Sequence, residues 1–317
     1  MVNLDDIKCA QAHLSKRWDY NIEKINTMKK RGGIMKHLLI DGNNLIYRGY
    51  HTSALKTKEG LRVSGAFSSV KMVVKLIQRF KPNSVVIAWD KGRSQPRMDL
   101  YPEYKAQRAK NKKPEDAEAI PKNIGIAQAI FKHLPVKQIV IDGVEADDIL
   151  GYMTHRLKGK KIIVSNDQDF LQLVQKNTYV FLPNNNKLIG TKNVEALLGV
   201  PVEKYLLWKA MVGDSSDNIK GVQGVGAKTA TKIINDDNGI IKKEWLPIIE
   251  RNVELMNIGL VLTTEDIVEI KKQYGMEKIK EYNLQKVKGI MAKYEFNSLL
   301  NNFYEVSGAF KHLRTKK

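Results

Sequence analysis

Four short runs constrain the fold of this chain more than anything else in it: HLLID (37–41), SVVIAWD (84–90), QIVID (138–142) and KIIVSND (161–167). Each is apolar at consecutive positions, so neither face of the strand it forms can meet water. Strands buried on both faces belong to parallel sheets, whose crossovers place helices on both sides. The stretches between the runs carry helical periodicity, notably 65–80, 121–134 and 146–157, so the expected fold is α/β with a mostly parallel sheet. Every run ends in Asp. In an open parallel sheet the crevice beyond the carboxyl ends of the strands is where ligands bind. One such Asp is ordinarily a turn residue or a helix cap, but four in succession are not accounted for that way.

Acids recur near the strand ends and in compact motifs: Asp41 in DGNN, Asp90 in WDKG, Glu145, Asp147 and Asp148 in VEADD, Asp167 and Asp169 in SNDQDF, and Asp214 and Asp217 in GDSSDN. Parallel topology sends at least Asp41, Asp90, Glu145 and Asp167 to the same edge. Carboxylates forced together take up protons or recruit cations. A donor set of oxygens, without His or Cys, suits Mg²⁺ or Mn²⁺ rather than zinc. There are more acids than one hexacoordinate ion requires, and two ions about 4 Å apart suit in-line displacement at phosphate. Charge points to the partner. The chain has 53 Lys+Arg against 34 Asp+Glu, a formal net charge of +19, which favours a polyanion.

Three further regions stand out. The stretch 91–122 is long, basic and punctuated by prolines, with Tyr101 and Tyr104 among Arg97, Lys105, Arg108, Lys110, Lys112 and Lys113, a mixture suited to a nucleic-acid single strand. In IKGVQGVGAKTATKII (219–234) a glycine turn feeds a helix, and no strand precedes it. That excludes the dinucleotide-binding fingerprint and favours a helix–hairpin–helix grip on duplex backbone, with Gly221, Gly224 and Gly226 allowing close approach and Lys228 adding a phosphate contact. Residues 1–34 place Leu4, Ile7, Leu14, Trp18, Ile22, Ile25 and Met28 at helical spacing. They read either as an amphipathic helix or as an extension ahead of a start at Met35. The expected division is this extension, an α/β domain over 35–190 and a helical domain over 191–317. A single cysteine, Cys9, excludes intrachain disulfides and fits a reducing, cytoplasmic setting. No apolar run approaches the ~18 residues of a membrane span.

Taken in order, LLIDGNNLIYR, PEYKAQR, GVEADD, SNDQDFLQLV, MVGDSSDNIKGVQGVGAKTA and YEFNSLL resemble the 5′ nuclease family, which includes phage flap endonucleases and the 5′→3′ exonuclease domain of bacterial DNA polymerase I. The resemblance runs from about Lys36 to about Phe303. It implies a resolvase-like (PIN-like) nuclease domain, an arch or clamp at about 91–122 and a C-terminal helix–hairpin–helix domain. It implies two Mg²⁺ ions, replaceable by Mn²⁺, one held by Asp41, Asp90, Glu145 and Asp147 with Asp148 nearby, the other by Asp167, Asp169, Asp214 and Asp217. It gives Lys105 and Arg108 to the scissile phosphate and Arg48 to a supporting catalytic position, while Tyr104, among the basic residues of 91–122, is the ring expected to meet DNA. The family's hairpin turn commonly holds a monovalent cation, K⁺ here, on backbone carbonyls such as those of Gly221, Val222 and Val225.

The activity implied is structure-specific cleavage of DNA at 5′ flaps, nicked or gapped duplex and RNA–DNA primers. The enzyme would be a monomer in a bacterial or phage-infected cell, with a polymerase or sliding clamp as the kind of protein partner such an enzyme meets. Two alternatives stay open: a PIN-like ribonuclease, and a nuclease-derived DNA-binding module without activity.

Overall fold

The computed structural model describes residues 34–110, 113–236, 241–276, 282–311 and 313. The helix expected within 1–34 lies outside the described residues except for Ile34. Six strands form one sheet in the order β3-β2-β1-β4-β5-β6: β1 (Lys36–Asp41), β2 (Ser84–Trp89), β3 (Lys137–Val140), β4 (Lys160–Val164), β5 (Thr178–Leu182) and β6 (Lys187–Ile189). The first five run parallel and β6 returns antiparallel to β5. The four apolar runs are thus β1 to β4. The β5–β6 hairpin was not among the expected strands.

Strand periodicity divides the core into two layers. Leu38, Ile40, Val85, Ile87, Ile162 and Val164 face helices α1 (Gly42–Thr52), α2 (Ser64–Phe80) and, beyond the basic stretch with its short helices α3 (Gln95–Leu100) and α4 (Ala106–Lys110), α5 (Pro114–Phe131). Leu39, Val86, Ala88, Ile139 and Ile163 face the opposite side, where α6 (Ala146–Arg156) and the 3-10 turn Gln168–Leu173 pack. Order reverses at β1: β2 and β3 lie to one side of it, β4 and β5 to the other. That places the ends of β1 and β4 at the crevice where such sheets bind ligands.

After α7 (Thr191–Leu198) the chain is helical, but not as one domain. Helix α8 (Tyr205–Val212), the short ladder β7 (Gly213–Asp214) with β8 (Ile219–Lys220), α9 (Ala227–Asn235) and α10 (Leu246–Met256) enclose their own cluster of Leu207, Met211, Val222, Val225, Ala230 and Ile234. Helix α11 (Thr264–Met276) sends Ile270 to the α6 side of the sheet. Helices α12 (Leu284–Lys293), α13 (Asn297–Asn301) and α14 (Phe303–Lys311) return to the opposite face. There Val287, Met291, Phe296, Val306 and Phe310 join the layer containing α1 and α2. The division expected at 191–317 is corrected accordingly: the glycine-turn unit ends near α10, and the last helices complete the α/β core.

Candidate active site

Local structure brings the acids together. Asp41, the last residue of β1, caps α1: its Oδ1 accepts from the Asn44 N–H at 2.9 Å, one of the donors a helix start leaves free, and its Oδ2 accepts from Ser165 Oγ at 3.0 Å. Asp90, just past β2, accepts from the Ala146 N–H at 2.7 Å, which ties the end of β2 to the start of α6. Glu145 precedes α6, and Asp147 and Asp148 lie in its first turn, where the helix end favours negative charge. One carboxylate oxygen from each of these three lies within 4.8 Å of the others. Asp167 caps the 3-10 turn by accepting from the Asp169 N–H at 2.8 Å.

The crowding alters the acids. Burial, with the charges of Asp90 and Asp167, pushes the Asp41 carboxyl up to about 7. Asp147 is raised well above the usual carboxylate range by burial and by Asp148 and Glu145. Asp90 and Asp167 reach solvent on one side, yet both are raised, first by lost hydration and then by the neighbouring charges of Glu145 and Asp214 respectively. Two acids go the other way. Burial alone would raise Glu145, but Lys105 and Arg97 hold it below the usual range. Burial would also raise Asp214, but Lys209 and the Ser216 donors bring it down to about 2.

Protein cations neutralise several of the acids at two places. Lys105 Nζ lies 2.7 Å from Glu145 Oε1 and 3.8 Å from Asp217 Oδ2, and Arg108 pairs with Asp217. Lys209, on α8, pairs with Asp169 and lies 2.8 Å from Asp214 Oδ2. Nothing in the sequence reading included Lys209. Its signal was there: it is the only charged residue in the helical run YLLWKAMV, five residues before Asp214, and it is buried.

Arg97, only 2 % exposed, was read as part of a basic surface and is instead an anchor. Its two terminal nitrogens reach the Asp148 oxygens at 2.5 and 2.8 Å, one also reaches Glu145, and its Nε donates to the Leu255 carbonyl at 2.8 Å. Asp148 also accepts from the Gly259 N–H at 2.6 Å. With both oxygens so engaged and no exposure, Asp148 stands beside the metal-ligand candidates as the residue that fixes α6 rather than as a free donor.

Tyr104 departs from expectation as well. Its ring is buried with Ile219, Leu255 and Met256, and its hydroxyl donates to Glu145 at 3.0 Å, so it offers no face to a base. Tyr101 packs under the Arg251 guanidinium. The exposed ring at this edge is Tyr47 on α1, near Asp90 and Arg108. Arg48, the next residue, donates from Nε to Asn184 Oδ1 at 2.8 Å, and backbone N–H groups carry the chain on: Asn184 N–H donates to Asn166 Oδ1, Asn166 N–H to Asn44 Oδ1 and Asn44 N–H to Asp41 Oδ1.

In the glycine turn, Gly221 is an internal packing position, where a Cβ would collide with the Val212 carbonyl. Gly224, at φ +76°, and Gly226 face open space, so the backbone there is free to approach a partner closely. Lys228 is exposed in the first turn of α9. Val222 and Val225 are buried, and the Val222 carbonyl accepts from the Val225 N–H at 3.0 Å.

The acids fit divalent cations by chemistry: their donors are all carboxylate oxygens, crowded enough to raise several above their ordinary range. Comparison with known proteins agrees with this reading of the fold. Residues 36–199 match the family model for the 5′-3′ exonuclease N-terminal resolvase-like domain. A 5′-3′ exonuclease of Aquifex aeolicus is 30% identical over 274 residues, covering 83% of this chain and 93% of that protein. The thermostable DNA polymerase I of Thermus filiformis is 28% identical over 290 residues, 86% of this chain but 33% of that one, so this chain spans about a third of the polymerase. Among solved structures, T5 5′-exonuclease with bound zinc superimposes with a TM-score of 0.63 at 23% identity, over 81% of this chain and 98% of that one. The catalytic core of Rad2 in complex with DNA substrate superimposes at 0.53 and 14% identity, over 87% and 93%.

Proposed function

The chain belongs to the 5′-3′ exonuclease family, and on that premise we propose that it hydrolyses DNA phosphodiesters at single-strand/duplex junctions, as a 5′→3′ exonuclease and flap endonuclease using two divalent cations. The observation that supports this is the crowding of acids at the carboxyl edge of the sheet, with Lys105 Nζ between Glu145 and Asp217. Asp41, Asp90, Glu145 and Asp147 would hold one ion, and Asp167, Asp169, Asp214 and Asp217 the other. Mg²⁺ is the native choice and Mn²⁺ a substitute. Bound there, the two ions supply Lewis-acid stabilisation of the attacking and leaving oxygens.

The chain's own residues do the rest. Lys105 and Arg108 stand where charge grows on the non-bridging oxygens of the phosphate. Arg97 holds α6 in register, so Glu145 and Asp147 keep their positions. Arg48, steadied by Asn184, offers a further cation to the strand. The uncovered backbone at Gly224 and Gly226, with Lys228 beside it, would seat on duplex phosphates as a helix–hairpin–helix grip, and K⁺ on the turn's carbonyls would add to that contact.

A ribonuclease of related fold is the competing reading, and the glycine turn with its exposed helix start weighs against it. The test is a labelled 5′ flap and a single-stranded RNA, each incubated with Mg²⁺ or EDTA. Cleavage of the flap near its junction in Mg²⁺, abolished by EDTA, with the RNA intact, is the expected result. RNA cut as fast as the flap would transfer the site to the ribonuclease reading, and a flap intact in Mg²⁺ would leave a binding module.

A further inference from the structure

Lys105 has a backbone that lysine rarely adopts. Its φ is +54°, in the left-handed region, which a non-glycine residue keeps only where its surroundings impose it. The surroundings here are specific. The Lys105 N–H donates to the Asp217 carbonyl at 2.9 Å. The Asn218 side chain then takes hold on both sides: its Nδ2 donates to the Glu103 carbonyl at 2.9 Å, and its Oδ1 accepts from Gln107 Nε2 at 3.0 Å. Glu103 and Gln107 lie two residues before and two after Lys105. One amide therefore brackets the strained residue from across 115 positions of sequence.

We infer that Asn218 is a positioning residue for Lys105, clamping the segment 103–107 so that the ammonium stands between Glu145 and Asp217. This rests on the reading that Lys105 faces the scissile phosphate. The residue type fits the task. The clamp needs a donor and an acceptor on one short planar group, which an amide has and an ionised carboxylate lacks. Asn218 is itself at φ +60°, a conformation that asparagine tolerates better than most residues. It also ends the loop that carries Asp214 and Asp217 and leads through β8 into the glycine turn. The clamp thus joins the turn unit to the segment holding Lys105, beside the small apolar cluster of Tyr104, Ile219, Leu255 and Met256.

The test is a double-mutant cycle in the full chain. Asn218→Gly deletes both hydrogen bonds while leaving the left-handed backbone unstrained. It is combined with Lys105→Ala, and single-turnover cleavage of a 5′ flap in Mg²⁺ is measured beside flap affinity in Ca²⁺. Residues coupled through a contact of this kind change a rate by roughly tenfold. Asn218→Gly alone is expected to slow cleavage by about that factor with affinity within about twofold, and to slow Lys105→Ala no further. Gln107→Ala, an exposed position that loses one of the two bonds, is expected to give a smaller loss that also vanishes in the Lys105→Ala background, which covers the case of an unstable Asn218→Gly. An equal loss in both backgrounds, or no loss with Lys105 intact, overturns the inference. If Lys105→Ala itself leaves the rate unchanged, the functional reading fails, and the inference with it.

Discussion

Asp41→Asn is expected to lower flap cleavage in Mg²⁺ by about 10³-fold or more, while flap binding in Ca²⁺ survives. The substitution keeps the side chain's size and its cap on α1, since Asn caps helices as well as Asp does. It removes one charged oxygen from the acids assigned to the first ion. Several kcal/mol of transition-state stabilisation depend on such an ion, and each 1.36 kcal/mol is a factor of ten in rate. The same change should stabilise the metal-free protein. Because the folded-state value of Asp41 is raised to about 7, its ionised form opposes folding above that pH, and the penalty fades as pH falls through about 7 toward its unfolded value of about 4. Metal-free Asp41→Asn should therefore melt above the parent at pH 8, with the gap narrowing as pH falls below about 7 and closing near about pH 4. Saturating Mn²⁺ should reverse the order, because a ligand that binds only the folded state raises the parent's stability. Native-rate cleavage by Asp41→Asn would remove Asp41 from the site.

Lys105→Ala is expected to lower the single-turnover rate by about 10²–10³, with a much smaller loss of affinity. Burial works against the Lys105 ammonium, but Glu145, Asp147 and Asp217 more than offset it and hold its pKa above the usual lysine value, so the side chain is charged throughout the neutral range. A charge fixed beside the acids interacts more strongly with a phosphoryl group whose oxygens gain charge than with the ground state, and such an interaction appears in the chemical step. Lys113→Ala is the control: Lys113 is exposed at the start of α5, and its loss should change rate and affinity little. Equal small effects from the two substitutions would leave Lys105 as an ion-pair partner of Glu145 with no part in the chemistry.

What could be read from the sequence follows from the range of the interactions. Strands β1 to β4 were legible because strands covered on both faces leave unbroken apolar runs, and their terminal acids were legible because the strand ends locate them. The β5–β6 hairpin was not. Its run TYVFL is short, and the PNNN that follows reads as a loop, though it makes a turn with Asn186 at φ +53°. The partners of the acids are a different matter. Arg97 meets Asp148 across 51 residues and Leu255 across 158, and no local pattern encodes such contacts. Tyr104 looks in sequence like a stacking platform because aromatic rings among lysines suit one. Only the folded chain, through Leu255, Met256 and Ile219, decides that it is buried. The C-terminal helices show their apolar stripes in sequence but not which surface covers them, and that surface is the sheet's first layer.

The central claim is that the two acid groups hold two separate divalent ions. Crystals soaked in Mn²⁺ and measured at the manganese absorption edge count the ions and locate them. The account predicts two anomalous peaks about 4 Å apart, one against Asp41, Asp90, Glu145 and Asp147, the other against Asp167, Asp169, Asp214 and Asp217, with the Lys209 ammonium withdrawn from at least one of its two carboxylates. A single peak, or ions seated only on Asp148 or away from these acids, would contradict it.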